Sequence, residues 1–168
     1  MDTLLSICIG IGLAAACGFR VFIPLLIMSI ASASGHLTLA PSFQWIGSQT
    51  ALITFSVATA LEIVAYYVPW LDNFLDSIAT PVAVVAGTIV TASMVTNVDP
   101  FLRWTLAVIA GGGAAALVQG STVLVRAVST STTGGIGNSI VSSAELGLSA
   151  LTSVLAILVP LVALLLLG

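Results

Sequence analysis

The sequence predicts an all-α, polytopic bundle of helices embedded in a lipid membrane. Of its 168 residues, 59% are hydrophobic and only 5% are charged, and the mean hydropathy is +1.25. Soluble domains carry about 25% charged residues, and this chain has too few polar side chains to cover a water-exposed surface. Its apolar residues form runs long enough to cross a bilayer, which takes about 20 residues each. We therefore expect one multi-pass transmembrane domain over residues 1–168.

Proline, glycine and polar residues divide the chain into five apolar stretches. The predicted spans are residues 3–33, 48–69, 80–97, 100–128 and 143–167. Trp45 and Trp70 flank the second span at positions typical of the two membrane interfaces. Pro81 and Pro100 each follow a residue suited to an N-cap, and proline at the first helical position is typical of a helix start. Five spans would place the two ends of the chain on opposite sides of the membrane.

The first and fourth spans are too long for straight helices. At 1.5 Å per residue the first would reach about 46 Å, whereas the hydrocarbon core is about 30 Å thick. We expect the first span to be interrupted near Gly18 and Pro24, and the fourth near Gly111, Gly112 and Gly113. A second interpretation stays open, because rows of small residues also allow close helix packing.

These two spans are similar to each other at an offset of 100 positions. Seven of the 27 residues from 9 to 35 are identical to their counterparts. With five spans, the first and second would be related to the fourth and fifth as an inverted repeat joined by the third. Transporters are often built this way, with their sites beside interrupted helices near the membrane midplane.

Two charged residues lie near the middle of predicted spans. Arg20 follows "CGF" in the first span, and Glu62 lies within "ATALEIVAYY" in the second. Because an ionised group at the bilayer centre costs about 3 kcal/mol, we expect the two to pair. Gln119 is one position from the equivalent of Arg20 at the offset of 100. Either the pair is a structural ion pair joining two spans, or the guanidinium binds an anionic group of a substrate.

Other charged residues receive structural interpretations. Arg126 falls near the end of the fourth span, where a long side chain reaches the lipid headgroups. Ser142 and Glu145 have the spacing of a capping box at the start of the fifth span, which predicts that Glu145 stabilises a helix N-terminus. The run "STSTTGGIGNS" before it is rich in Ser, Thr and Gly and predicts a flexible linker.

Two stretches of the chain resemble a known family. They are "AACGFRVFIPLL" at 15–26 and "ALEIVAYYVPWLDNFLDSIATP" at 60–81. The family consists of small integral membrane proteins of bacteria, including cyanobacteria, and plastids, and is known as domain of unknown function 4126. The resemblance implies a bacterial inner membrane or a thylakoid membrane. It also implies that a recurring pattern includes Arg20, Pro24, Glu62, Pro69, Asp72, Asp76 and Pro81.

The few polar residues limit the function. One histidine and six acidic residues cannot supply a catalytic triad, a carboxylate dyad or a multi-histidine metal site. We therefore expect no enzyme, no metal or cofactor, and no nucleic-acid partner. The leading hypothesis is a small permease whose midplane site, formed by Arg20 and Glu62, takes a small solute or an anionic headgroup. The alternatives are a scaffold or assembly factor for a larger, photosynthetic complex and a homo-oligomeric channel, and the expected partners are membrane lipids, further copies of the chain, or that complex.

Overall fold

The computed structural model describes residues 3–134 and 136–162, without the side chains at positions 69, 70, 72, 73, 76 and 77. The described chain is all-α, as predicted. Its helices are α1 (Thr3–Phe19), α2 (Phe22–Ala33), a 3₁₀ helix (Pro41–Gly47), α3 (Gln49–Ala65), α4 (Pro69–Met94), α5 (Pro100–Leu106), a π-helical segment (Ala107–Gly112), α6 (Gly113–Thr133) and α7 (Asn138–Leu158).

Two helical segments of the described chain are long and apolar enough to cross a membrane. They are Pro100–Thr133, which joins α5, the π-helical segment and α6, and Asn138–Leu158. The 3₁₀ helix and α3 meet at 62° and add a third if they form one bent span. These lengths are consistent with a membrane protein, but they do not support the predicted count of five spans.

Helix α1 lies at the centre of the bundle, where it packs against α4, α6 and α7. Residues 12–18 are all buried, and a helix that is apolar all round is expected in a core. Small residues allow this close packing. A Cβ atom at Gly18 would lie 2.6 Å from the Cβ of Val118 and 2.7 Å from the carbonyl oxygen of Ala115.

The chain reverses direction between α1 and α2. If the two helices were collinear, Gly10 and Met28 would be about 27 Å apart. Instead both contact the same part of α4. The Thr91 hydroxyl donates to the Gly10 carbonyl over 3.1 Å, and the Ser93 hydroxyl donates to the Met28 sulfur over 3.5 Å. The predicted first span is therefore an antiparallel helical hairpin whose turn contains Arg20.

The directions of the other helices follow from their contacts with α4. Gly10 lies against Thr91 and Ala14 is near Gly87, so α1 is antiparallel to α4. The segment from α5 to α6 is also antiparallel to α4, because Gly111 lies against Thr91 and Ala115 against Gly87. Helix α1, the first half of the first predicted span, therefore runs parallel to the fourth predicted span, and an inverted repeat is not supported.

The predicted interruption of the first span is confirmed, because α1 ends at Phe19 and α2 begins at Phe22. Pro24 is the third residue of α2, where its missing N–H costs no helical hydrogen bond. The predicted break at Gly111, Gly112 and Gly113 is wrong, because Gly111 and Gly112 end a π-helical segment that continues directly into α6 at Gly113.

Packing explains two of those three glycines. A Cβ at Gly111 would be 2.7 Å from the Gly87 carbonyl oxygen, and one at Gly112 would be 2.8 Å from the Thr88 hydroxyl. Both therefore allow α4 to approach closely, whereas a Cβ at Gly113 would meet nothing within 4 Å.

Several predicted boundaries are also wrong. Helix α4 begins at Pro69 and contains Pro81, so the predicted helix start at Thr80 and Pro81 is wrong. Helix α6 continues to Thr133 and α7 already begins at Asn138, so part of the predicted linker is helical, and Gly134 follows α6 with φ of 65°. The hydroxyls of Ser131, Thr132 and Thr133 donate to carbonyls one turn earlier, so they have partners within the helix. The side chain of Trp70 and residues 163–167 lie outside the described residues.

We expect Gly111→Ala to lower the free energy of unfolding by about 1–3 kcal/mol, because the new methyl group overpacks the contact with α4. Gly113→Ala is the matched control. It should be neutral or stabilise the helix by up to about 1 kcal/mol, because alanine has the higher helix propensity. Titration of each variant with sodium dodecyl sulfate in mixed micelles measures both values. Equal losses in the two variants would contradict the assignment of Gly111 to this contact.

Candidate functional site

The turn between α1 and α2 leaves backbone groups at two helix ends that need hydrogen-bond partners within the bundle. At the end of α1, the Ser149 hydroxyl of α7 donates to the Ala16 carbonyl over 3.0 Å. At the start of α2, the Glu62 carboxylate accepts the backbone N–H groups of Val21 at 2.9 Å and Phe22 at 3.1 Å. A carboxylate at this position also interacts favourably with the positive end of the α2 dipole. Glu62 thus caps α2.

Arg20 projects from this turn towards α7 and is only 3% exposed. Its Nη2 donates to the Ser142 carbonyl over 3.0 Å and lies 3.4 Å from a carboxylate oxygen of Glu145. Glu145, and not Glu62, is therefore the ion-pair partner of Arg20 among the described residues. The predicted direct pair of Arg20 with Glu62 is corrected on this point, because the Glu62 oxygens are engaged by the backbone of α2.

Arg126 of α6 binds the same carboxylate from the other side. Its Nε donates to Glu145 over 3.0 Å, and its Nη2 contacts the second oxygen at 2.5 Å. The Ser142 hydroxyl accepts a further bond of 3.0 Å from that Nη2. We call Arg20, Glu145 and Arg126 the ion triad.

Two structural interpretations from the sequence are wrong here. Arg126 does not extend to lipid headgroups, since it is 4% exposed and α6 continues about 10 Å beyond it. Ser142 and Glu145 do not form a capping box, because α7 begins at Asn138 and both lie within the helix.

Tyr66, just after the end of α3, joins the two arginines through its ring. The guanidinium carbon of Arg20 lies 3.4 Å from the ring centroid, and that of Arg126 lies 4.8 Å from it. Both distances suit cation–π attraction, which strengthens where the cation is desolvated. The ring therefore supplements the Glu145 carboxylate that the two guanidinium groups share.

A cavity of about 440 Å³ opens beside the turn, between α3 and α4. Arg20, Glu62 and Gln119, the three site residues predicted from the sequence, all line it, together with Tyr66 and mostly apolar side chains. The Nε and Nη1 groups of Arg20 are buried and have no hydrogen-bond partner among the described residues. Burying such donors without a partner is costly, and an anionic group is the ligand that would satisfy them.

The sequence contained a signal for the residues that were missed. The buried side chains of α7 recur every three or four residues, as one face of a helix requires: Ser142, Glu145, Ser149, Ser153 and Ala156. Four of these five are polar, which is unusual for a core-facing stripe. A stripe of polar side chains on an otherwise apolar helix predicts that a buried hydrogen-bond donor lies next to it. Here the two arginines are those donors.

The histidine of the chain lies in the loop after α2 and does not line the cavity beside Arg20. The exposed His36 ring contacts the Ser34 hydroxyl at 2.9 Å in the loop after α2. No group of three His, Cys, Asp or Glu side chains in the described part of the chain is placed to hold a metal ion. The chemistry that the site itself offers is recognition of an anion next to an apolar surface.

We expect Glu145→Gln to lower the free energy of unfolding by about 3–5 kcal/mol, because two buried guanidinium groups lose their shared counter-ion. Ser142→Ala is the control. It should cost about 1 kcal/mol, since Arg126 keeps Glu145 and Arg20 keeps the backbone carbonyl at position 142. The same detergent titration gives both values. A loss in Glu145→Gln no larger than that in Ser142→Ala would show that the ion triad contributes little to stability.

Comparison with known proteins identifies a family. Residues 7–168 match the family model described as Domain of unknown function (DUF4126). No curated protein and no solved structure matches the chain. Because the match covers nearly the whole sequence, the chain belongs to the DUF4126 family.

Proposed function

We propose that this protein is a small, multi-pass membrane permease that binds a small organic anion or an anionic lipid headgroup in the cavity beside Arg20. The cavity lies beside the turn between α1 and α2, and several helices contribute side chains to its walls. Arg20 is the anion-binding residue in this proposal. Glu62 holds the start of α2 in place and forms part of the cavity wall.

The observation that carries the proposal is the incomplete hydrogen bonding of Arg20. Two of its donor groups, Nε and Nη1, have no hydrogen-bond partner in the part of the chain that the structure describes, although the side chain lines a cavity of about 440 Å³. A guanidinium group that served only to join helices would be expected to use its donors within the fold. An anion beside it would complete the set with charge-assisted hydrogen bonds.

The walls of the cavity favour a ligand with apolar parts. Leu61, Leu75, Ile78 and Val82 are among the side chains that line it. Such a mixture of apolar walls and a few polar groups is typical of small-molecule sites. A hydrated inorganic ion would lose most of its water there and regain few polar contacts.

A role as a scaffold for a larger complex has one observation in its favour. The ion triad is formed entirely within the chain, and Arg126 and Glu145 bind each other through two nitrogen–oxygen contacts. In that case the triad would serve to hold α1, α6 and α7 together, without any ligand. The permease and scaffold proposals differ in one expectation: filling the cavity should impair function only if the protein is a permease.

Two residues of α3 provide a matched test. Ala58 lines the cavity, and Ala60 is exposed on the same helix. In vesicles of phosphatidylcholine, efflux of radiolabelled benzenesulfonate reports movement of a small anion. Dithionite quenching of fluorescent phosphatidylglycerol reports movement of an anionic headgroup.

We expect the wild-type protein to raise at least one of these two rates above that of protein-free vesicles. Ala58→Phe should reduce the raised rate by about tenfold or more, as loss of about 1.4 kcal/mol of ligand interaction would. Ala60→Phe should leave it within about twofold. If neither rate rises, or if the two variants behave alike, the permease proposal is wrong.

A further inference from the structure

A second cavity adjoins the one beside Arg20. It has a volume of about 410 Å³ and lies between α2, the 3₁₀ helix, α3 and α4. Its lining is apolar throughout and includes Leu25, Phe55 and Val85. We call it the apolar cavity and the one beside Arg20 the charged cavity.

The two cavities share part of their lining. Val21, Phe22 and Val82 border both of them. Val82 is 39% exposed and Val85 is 58% exposed, so both cavities open towards the outer surface between α3 and α4. A molecule that passes over Val82 along this surface therefore reaches both cavities at once.

The polarity of the surface changes sharply along this path. Arg20, with its two unpartnered donors, lies at one end. The other end is lined by apolar and aromatic side chains and contains no charged residue. An amphiphile has the same division, and each of its parts would meet a surface of matching polarity.

We propose that the two cavities together bind one single-chain anionic amphiphile, with its head beside Arg20 and its hydrocarbon chain along the apolar cavity. This inference rests on the proposed function and names the class of its ligand. A single chain fits because the apolar cavity has the size of a site for one small molecule, about 300–1,000 Å³. A cationic head is disfavoured, because Arg20 and Arg126 lie close together and Glu62 is engaged by α2.

The test uses alkyl sulfonates, because a sulfonate stays ionised at any assay pH. The wild-type protein in phosphatidylcholine vesicles is photolabelled with hexadecanesulfonate that carries a diazirine in mid-chain. Unlabelled dodecanesulfonate, butanesulfonate and dodecanol compete for the site. We expect the labelled peptides to come from α2, α3 and α4 around the apolar cavity, and dodecanesulfonate to compete much better than the other two.

Two valines on the lipid-facing surface give matched variants. Val85 lines the apolar cavity and is 58% exposed, whereas Val57 lines neither cavity and is 55% exposed. Val85→Trp should weaken competition by dodecanesulfonate by about tenfold or more, as loss of about two buried methylene contacts would. Its effect on butanesulfonate should stay within about twofold, and Val57→Trp should change neither. Ala58→Phe, which fills the charged cavity, should weaken both.

The outcomes separate this inference from the proposed function. If butanesulfonate competes as well as dodecanesulfonate, the charged cavity binds small anions and the single-chain inference is wrong. Competition by dodecanol equal to that of dodecanesulfonate overturns the assignment of the head to Arg20. Competition by phosphatidylglycerol in the vesicles, without competition by sulfonates, means a diacyl lipid and overturns the single chain. If no anion competes at all, the proposed function fails with it.

Discussion

The contact between Glu145 and two arginines holds the point at which the chain turns from α1 into α2. A turn inside an apolar bundle leaves unpaired backbone groups at both helix ends, and an arginine in that turn adds a charge. Here α7 supplies Ser149 for the end of α1 and Glu145 for Arg20. Helix α3 supplies Glu62 for the start of α2. The turn is thus stabilised by polar groups from helices that are distant in sequence.

The apolar packing of the bundle depends on the same arrangement. Helix α1 is buried by α4, α6 and α7, and glycines at 10, 18, 87 and 111 allow the backbones to approach closely. Close contact between the helix backbones determines where the end of α1 lies. That precision matters because the guanidinium of Arg20 must reach both the Glu145 carboxylate and the Tyr66 ring. The small residues and the buried charges therefore both hold the turn that contains Arg20 in its position.

The sequence predicted the class of fold and the residues around the charged cavity, but not their pairing. Arg20 and Glu62 were found because charged residues are rare in apolar spans, and Gln119 because it lies next to the equivalent of Arg20 at the offset of 100. The cavity brings all three together. The predicted pairing of Arg20 with Glu62 is wrong because the spacing of residues along one helix does not indicate which distant helix packs against it. Glu145 had a local explanation as a capping residue, and that explanation concealed its long-range role.

Several predicted helix boundaries are wrong for a related reason. The serine and threonine residues after Arg126 predicted a linker, yet their hydroxyls bond to carbonyls of the same helix and α6 continues to Thr133. A length of about 30 residues predicted an interruption in both long spans. Only the tertiary contacts distinguish a hairpin, as in α1 and α2, from a continuous helix with a π-helical segment, as in α5 and α6. Glycine is compatible with both.

The long separation between Arg20 and its partners has a consequence for biosynthesis. Ser142, whose carbonyl Arg20 binds, lies 122 positions later in the chain, and Glu145 follows it within one helical turn. During translation, the hairpin of α1 and α2 therefore enters the membrane before its counter-ion has been made. Glu62 arrives earlier and satisfies the start of α2, but Arg20 gains its ion-pair partner Glu145 only when α7 is inserted. The turn after the first helix is therefore completed by the last helix named here, and a nascent chain halted before α7 lacks that ion pair.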